Sequence, residues 1–173
     1  MTNTILKFFA TGGFISYIPT AILKNKKNTG AGFLGTLEGV LLYLFFMPQN
    51  YLAYAAVLAV FIVFSSYVSD RVNFGDGKKD NPKIVIDEIA GYFLAVAFLP
   101  KTGFIALLAF VFFRIFDSSK IGFIKRTESF GSACGQSFKH KYCINGFAVV
   151  LDDLAAGLAA NLILQVLLLL KLL

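Results

Sequence analysis

Six apolar stretches, separated alternately by tight turns and by basic loops, constrain this chain more than any other feature of its sequence. They run approximately over Ile5–Leu23, Leu34–Met47, Tyr51–Val68, Ile84–Leu99, Phe104–Phe116 and Ala148–Leu170. The third and sixth are long enough to cross a bilayer core of about 30 Å; the second, fourth and fifth reach that length where polar flanks continue the helix. Composition points the same way, with 57% of the 173 residues hydrophobic and 15% charged. Soluble domains run nearer 45–50% apolar and about 25% charged, and a small soluble core cannot hide so large an excess. The expectation is an all-α fold: one domain over residues 1–173, a polytopic membrane bundle of about six helices.

Pro48-Gln49-Asn50 joins the second stretch to the third, and Pro100-Lys101-Thr102-Gly103 joins the fourth to the fifth. Both carry turn residues, so the helices they join are expected to be antiparallel neighbours. The other connections are longer and basic. Lys24, Lys26 and Lys27 lie in the first, Arg71, Lys78, Lys79 and Lys83 in the second, and Lys120, Lys125, Arg126, Lys139 and Lys141 in the third. Strict alternation puts these loops on one side, which the positive-inside rule makes cytoplasmic. Both termini then lie outside, provided the first stretch spans; its Gly12, Gly13, Ser16 and Pro19 leave a re-entrant or interfacial course open.

The net charge of +6 arises in loops between apolar segments. That distribution suits anionic lipid and excludes a nucleic-acid surface. Cys134, His140 and Cys143 share one loop, but their spacing lacks a fourth zinc ligand, and unpaired thiols are the expectation. A cleaved signal peptide is not expected, because no small-residue cleavage pattern follows the first stretch.

Six of the ten acidic residues fall inside or at the edge of apolar stretches: Glu38, Asp87, Glu88, Asp117, Asp152 and Asp153. On this topology each lies near the cytoplasmic end of its helix. Ionised groups at membrane depth pair with one another or line a site, and converging carboxylates require a cation or a basic partner. Oxygen donors without His or Cys favour a hard ion such as magnesium. Plainer roles compete: Asp87 as a helix cap, and Arg114 with Asp117 as a pair three residues apart on one helix. Asp152 and Asp153 follow an apolar turn, Phe147 to Leu151, which fits a site better than a cap.

At these residues the chain resembles the phosphatidylglycerophosphatase A family. Gly32-Phe33-Leu34-Gly35-Thr36-Leu37 is similar to the family's G-T-x-G-S-L, and Ile84 to Gly91 to its I-V-x-D-E-x-x-G. Phe112 to Lys120 is similar to F-F-R-x-x-D-x-x-K, and Gly146 to Gly157 to G-x-x-x-x-x-D-D-x-x-A-G. Order and approximate spacing agree over about residues 12 to 165. The chain departs from the pattern at Phe33, at Lys120-Ile121-Gly122-Phe123, which lacks both family prolines, at Glu128, and in a longer stretch from Ser129 to Asn145.

The resemblance implies magnesium-dependent hydrolysis of phosphatidylglycerophosphate to phosphatidylglycerol and phosphate. It implies a multi-pass protein of the inner membrane with its site facing the cytoplasm. On that reading Asp87, Glu88, Asp152 and Asp153 hold metal, and Asp117 is a further ligand or the general base. Arg114 and Lys120 neutralise phosphate oxygens, while Gly32, Gly35 and Thr36 approach the phosphate, Thr36 with its hydroxyl. A phosphatase homologue acting on another lipid phosphate, a small transporter using the carboxylates as a relay and a lipid-binding scaffold are the alternatives. Cysteine, paired-histidine and D-x-D-x-[TV] phosphatase signatures are absent from the sequence, as is a CDP-alcohol transferase motif. The sequence sets no oligomeric state.

Overall fold

The segment Ile86–Ala95 is a helix of 10 residues, and eight of them are buried. A helix buried on almost every side has to be enclosed by others, and this one is the axis of the described helices. The computed structural model describes residues 2–22, 30–75, 81–119 and 144–173. Among them the elements are seven helices and no strand: α1 (Asn3–Ala10), α2 (Tyr17–Ile22), α3 (Ala31–Phe46), α4 (Tyr51–Arg71), α5 (Ile86–Ala95), α6 (Gly103–Ser119) and α7 (Ile144–Leu169). Helices α3, α4, α6 and α7 all pack on α5.

Local chemistry sets the boundaries. The Asn50 side chain accepts the Ala53 N–H at 3.0 Å and caps α4. Thr102 accepts the Ile105 N–H at 3.2 Å at the start of α6. Helix α5 stops early because Asn161 on α7 donates to the carbonyls of Ala95 and Ala97 at 3.1 and 2.8 Å. Those carbonyls would otherwise be left without partners at the helix end. The buried hydroxyls of Tyr54 and Tyr92 donate to the carbonyls of Phe93 and Ala106, at 2.6 and 2.9 Å. They tie α4 to α5 and α5 to the first turn of α6.

The closest helix pair is α5 and α7. A Cβ on Gly91 would lie 2.6 Å from the Asp153 carbonyl oxygen and 2.7 Å from the Phe113 ring; one on Gly157 would run into the Gly91 carbonyl. Ala90, Ala156 and Ala160 are fully buried in the same region. Small residues let two helix backbones approach this closely.

The first apolar stretch does not form one spanning helix. It divides into α1 and α2, of eight and six residues, and at 1.5 Å per residue eight residues cover only about 12 Å. Gly12, Gly13 and Phe14, at φ 55, 59 and 72, reverse the chain between them. The Ala10 carbonyl accepts the Val85 N–H at 2.8 Å, Ser16 donates to Lys83 at 2.8 Å, and Asn3 exchanges hydrogen bonds with the Asn73 backbone. The N-terminus is therefore held at the end of the bundle where α5 begins, in keeping with the re-entrant course that Gly12, Gly13, Ser16 and Pro19 leave open.

The short Pro48 turn gives α3 and α4 opposite directions, but the two are not packed flank to flank as expected. They lie against α5, and Tyr43 meets Tyr54 edge to face at 6.5 Å. A short connector sets direction and not lateral spacing, and here α5, eight of whose ten residues are buried, takes the intervening position.

Among the described residues, two helices are long and apolar enough to cross a membrane, Tyr51–Arg71 and Gly146–Leu169, as their sequence predicts. Large apolar side chains face outward around the bundle, including Phe46 at 78%, Leu52 at 81% and Val63 at 70% exposed. Together with the core beneath them they form the apolar outer surface that a lipid solvent requires.

Candidate metal centre

The first turn of α5 carries Asp87 and Glu88, with Val85 at the cap position and making no side-chain cap bond. Asp87 therefore lies inside the helix and is not its cap residue; its Oδ1 accepts the Glu88 N–H at 3.1 Å. The close approach of α5 and α7 brings Asp153 alongside. Ligand oxygens of Asp87, Glu88 and Asp153 lie within 4.8 Å of one another. Asp87 and Asp153 are each 7% exposed.

The far end of α6 supplies the opposite charge. Arg114 pairs with Asp117 at 2.9 Å, as their spacing predicts, and also donates to the Thr36 hydroxyl at 3.2 Å. Both residues of the pair act electrostatically on Asp153, and Asp117 acts on Glu88 as well. Thr36 is fully buried and gives its own proton to the Gly32 carbonyl at 2.9 Å. Its hydroxyl thus fixes the guanidinium to α3.

Gly32 and Gly35 have different surroundings. A Cβ on Gly32 would strike the Glu88 carboxylate and come within 3.4 Å of Arg114, whereas one on Gly35 would lie 2.5 Å from the Val85 side chain. Gly32 therefore makes room for charge, and Gly35 for the backbone that leads into α5.

Other expected residues are not among the three clustered carboxylates. Asp152, expected as a metal ligand, is not in the group of three; adjacent residues on a helix point about 100° apart. Glu38 points at the α1–α2 reversal, where a Cβ on Gly12 would strike it, and its Oε2 has no hydrogen-bond partner among the described residues. Lys120, Cys134, His140 and Cys143 lie outside the described residues. Gly91 and Gly157 were visible in the sequence only as motif letters. Their signal is spacing, a glycine three residues after Glu88 and another four after Asp153, on the face that lets α5 and α7 touch.

The donor set fits a hard divalent cation. It is all oxygen, it repels itself strongly without a positive charge, and Glu88 Oε2 is buried with no hydrogen-bond partner among the described residues. The sequence model of the family described as phosphatidylglycerophosphatase A matches residues 8–168. No curated protein and no solved structure matches the chain.

Proposed function

Because the chain belongs to the phosphatidylglycerophosphatase A family, and is by that membership a phosphoric monoester hydrolase, we propose that it converts phosphatidylglycerophosphate to phosphatidylglycerol and phosphate at the inner membrane with magnesium. The observation that carries this reading is the meeting of Asp87, Glu88 and Asp153 within 4.8 Å, beside the Arg114–Asp117 pair. A general anion site would not concentrate negative charge in this way, whereas metal-assisted phosphoryl transfer requires it.

Asp87, Glu88 and Asp153 would hold the ion. When bound, it supplies charge neutralisation on the phosphate and an acidified water. Arg114 binds phosphate oxygens through N–H groups that Thr36 and Asp117 leave unused, since a guanidinium has five. Thr36 works through Arg114 as a positioning residue. Asp117 accepts a proton from the attacking water. The water oxygen forms a bond to phosphorus, the bond from phosphorus to the terminal glycerol oxygen breaks, and that oxygen takes up the proton that Asp117 accepted, which leaves the carboxylate as it began.

The apolar exterior supports a site at a lipid boundary, in a bundle whose α4 and α7 would cross the membrane and whose shorter helices would complete it. The positive-inside rule, applied to the basic loops of the sequence, supports a cytoplasmic face for the carboxylates. Purified protein assayed for magnesium-dependent phosphate release from phosphatidylglycerophosphate, with phosphatidic acid as comparison, tests the proposal. Release from the former, abolished by Asp87→Asn, is expected. Equal or faster release from phosphatidic acid would move the assignment to another lipid phosphate, and no release from either would remove it.

A further inference from the structure

At the end of the bundle opposite the carboxylates, a cavity of about 400 Å³ opens where α3 and α5 end and α4 and α6 begin. Its walls include Tyr43, Tyr51, Tyr54 and Phe98, and its polar side chains include Gln49 and Lys101. Lys101 is the one charged residue among the described residues that line it. Its ammonium donates to the Met47 carbonyl at 2.7 Å and lies 5.5 Å from the centre of the Tyr43 ring. Two of its three protons remain for another acceptor, and no carboxylate in the lining offsets its charge.

The cavity is built into rigid structure. Phe98 has φ 61, a conformation rare for a bulky residue and kept only where neighbours enforce it. Asn161 holds the preceding carbonyls, and the Phe98 ring packs on Tyr51 and Tyr54 at 6.0 and 5.8 Å. Aromatic residues of the lining reach the outer surface, with Tyr51 at 70% and Phe98 at 48% exposed. A ligand entering here comes past a lipid-like surface. Aromatic residues and lysine are common at membrane boundaries, but such a belt needs neither a cavity nor an uncompensated charge inside one.

We propose that this cavity seats the phosphodiester headgroup of an anionic phospholipid from the leaflet opposite the metal centre. Lys101 supplies the countercharge, Gln49 and Tyr51 offer neutral donors, and the rim lies against the acyl chains. The inference rests on the bilayer placement proposed above and not on the reaction. The test is the rate of amine methylation of Lys101 in the full chain, read by peptide mass spectrometry in phosphatidylcholine nanodiscs with and without phosphatidylglycerol. Lys171, at the same end of the bundle, is the internal control for surface potential. Phosphatidylglycerol should slow Lys101 about tenfold relative to Lys171, the size of one charge-assisted hydrogen bond. Equal slowing of both lysines, protection in phosphatidylcholine alone, or protection by inorganic phosphate alone would each overturn the assignment. Lys101→Gln should lose the thermal stabilisation given by phosphatidylglycerol and Lys101→Arg should keep it, both hydrolysing substrate at the wild-type rate. Loss of lipid protection with hydrolysis intact, or the reverse, separates failure here from failure of the proposed reaction.

Discussion

Gly32 has no side chain at the point where the Glu88 carboxylate lies. Gly32→Ala forces that carboxylate to move, and because it is the end of a flexible side chain the fold should accommodate it. The expected outcome is turnover lower by about tenfold or more, with a nearly unchanged unfolding midpoint; a wild-type rate would show that the Glu88 position is not critical. The two neighbouring aspartates of α7 give a sharper contrast. Asp153 belongs to the group of three and Asp152 does not. Asp153→Asn should lower kcat/KM by at least about a hundredfold, and Asp152→Asn by clearly less. Equal losses would require a ligand set different from the one drawn here. Thr36 shows the same dependence on surroundings, since its hydroxyl is already shared between Gly32 and Arg114.

Among the elements, α5 carries the most consequence for its length. It is enclosed by four helices, bears two of the three clustered carboxylates, and meets α7 through glycines. Gly157→Ala pushes α7 off the Gly91 carbonyl and should cost about 1–3 kcal/mol of stability through overpacking. It should also reduce activity in the molecules that remain folded, because Asp153 moves with α7. Asn161→Ala should cost a similar amount, about 1–3 kcal/mol, by leaving the two carbonyls at the end of α5 unsatisfied. Its effect belongs to the far end of α5, so activity per folded molecule should be retained. Denaturant midpoints measured beside specific activity separate the two. If Asn161→Ala inactivates without unfolding, the two ends of α5 are coupled.

At the scale of the whole molecule, the bundle gathers negative charge at one end and encloses it in apolar helices. An ion bound there stabilises the folded state by an amount that grows with its concentration, about 2.7 kcal/mol at a hundred times Kd. Magnesium should therefore raise the thermal midpoint and chelation should lower it, while Glu88→Gln should abolish the shift. A magnesium shift that survives Glu88→Gln would place the ion elsewhere. The folded-back first segment adds a topological expectation: a label introduced at Thr2 should be reached from the same side of the membrane as the basic loops. Labelling from the opposite side would restore a spanning first segment.

The helical class, the two long apolar helices, the tight turns at Pro48 and Pro100 and the gathering of acidic residues at one end were all legible in the chain itself. Hydropathy and turn chemistry are local, and alternating direction carries local position to one end or the other. The family resemblance was legible for the same reason, since its motifs are short and ordered. Which carboxylates face one another was not. Asp152 and Asp153 are equivalent in hydropathy, and only the rotation of α7 against α5 separates them. Glu38 and Thr36 also lie on one helix, yet one faces the α1–α2 reversal and the other the Arg114 guanidinium. The course of the first segment stayed open in the sequence, its high apolarity favouring a span and its glycines and proline a break; successive positive φ angles at Gly12, Gly13 and Phe14 and hydrogen bonds to residues more than sixty positions away hold it folded back. Hydropathy and turn order along a chain fix which segments are helical and at which end a residue lies, whereas rotation and lateral order depend on contacts between distant segments, which only the packed structure contains.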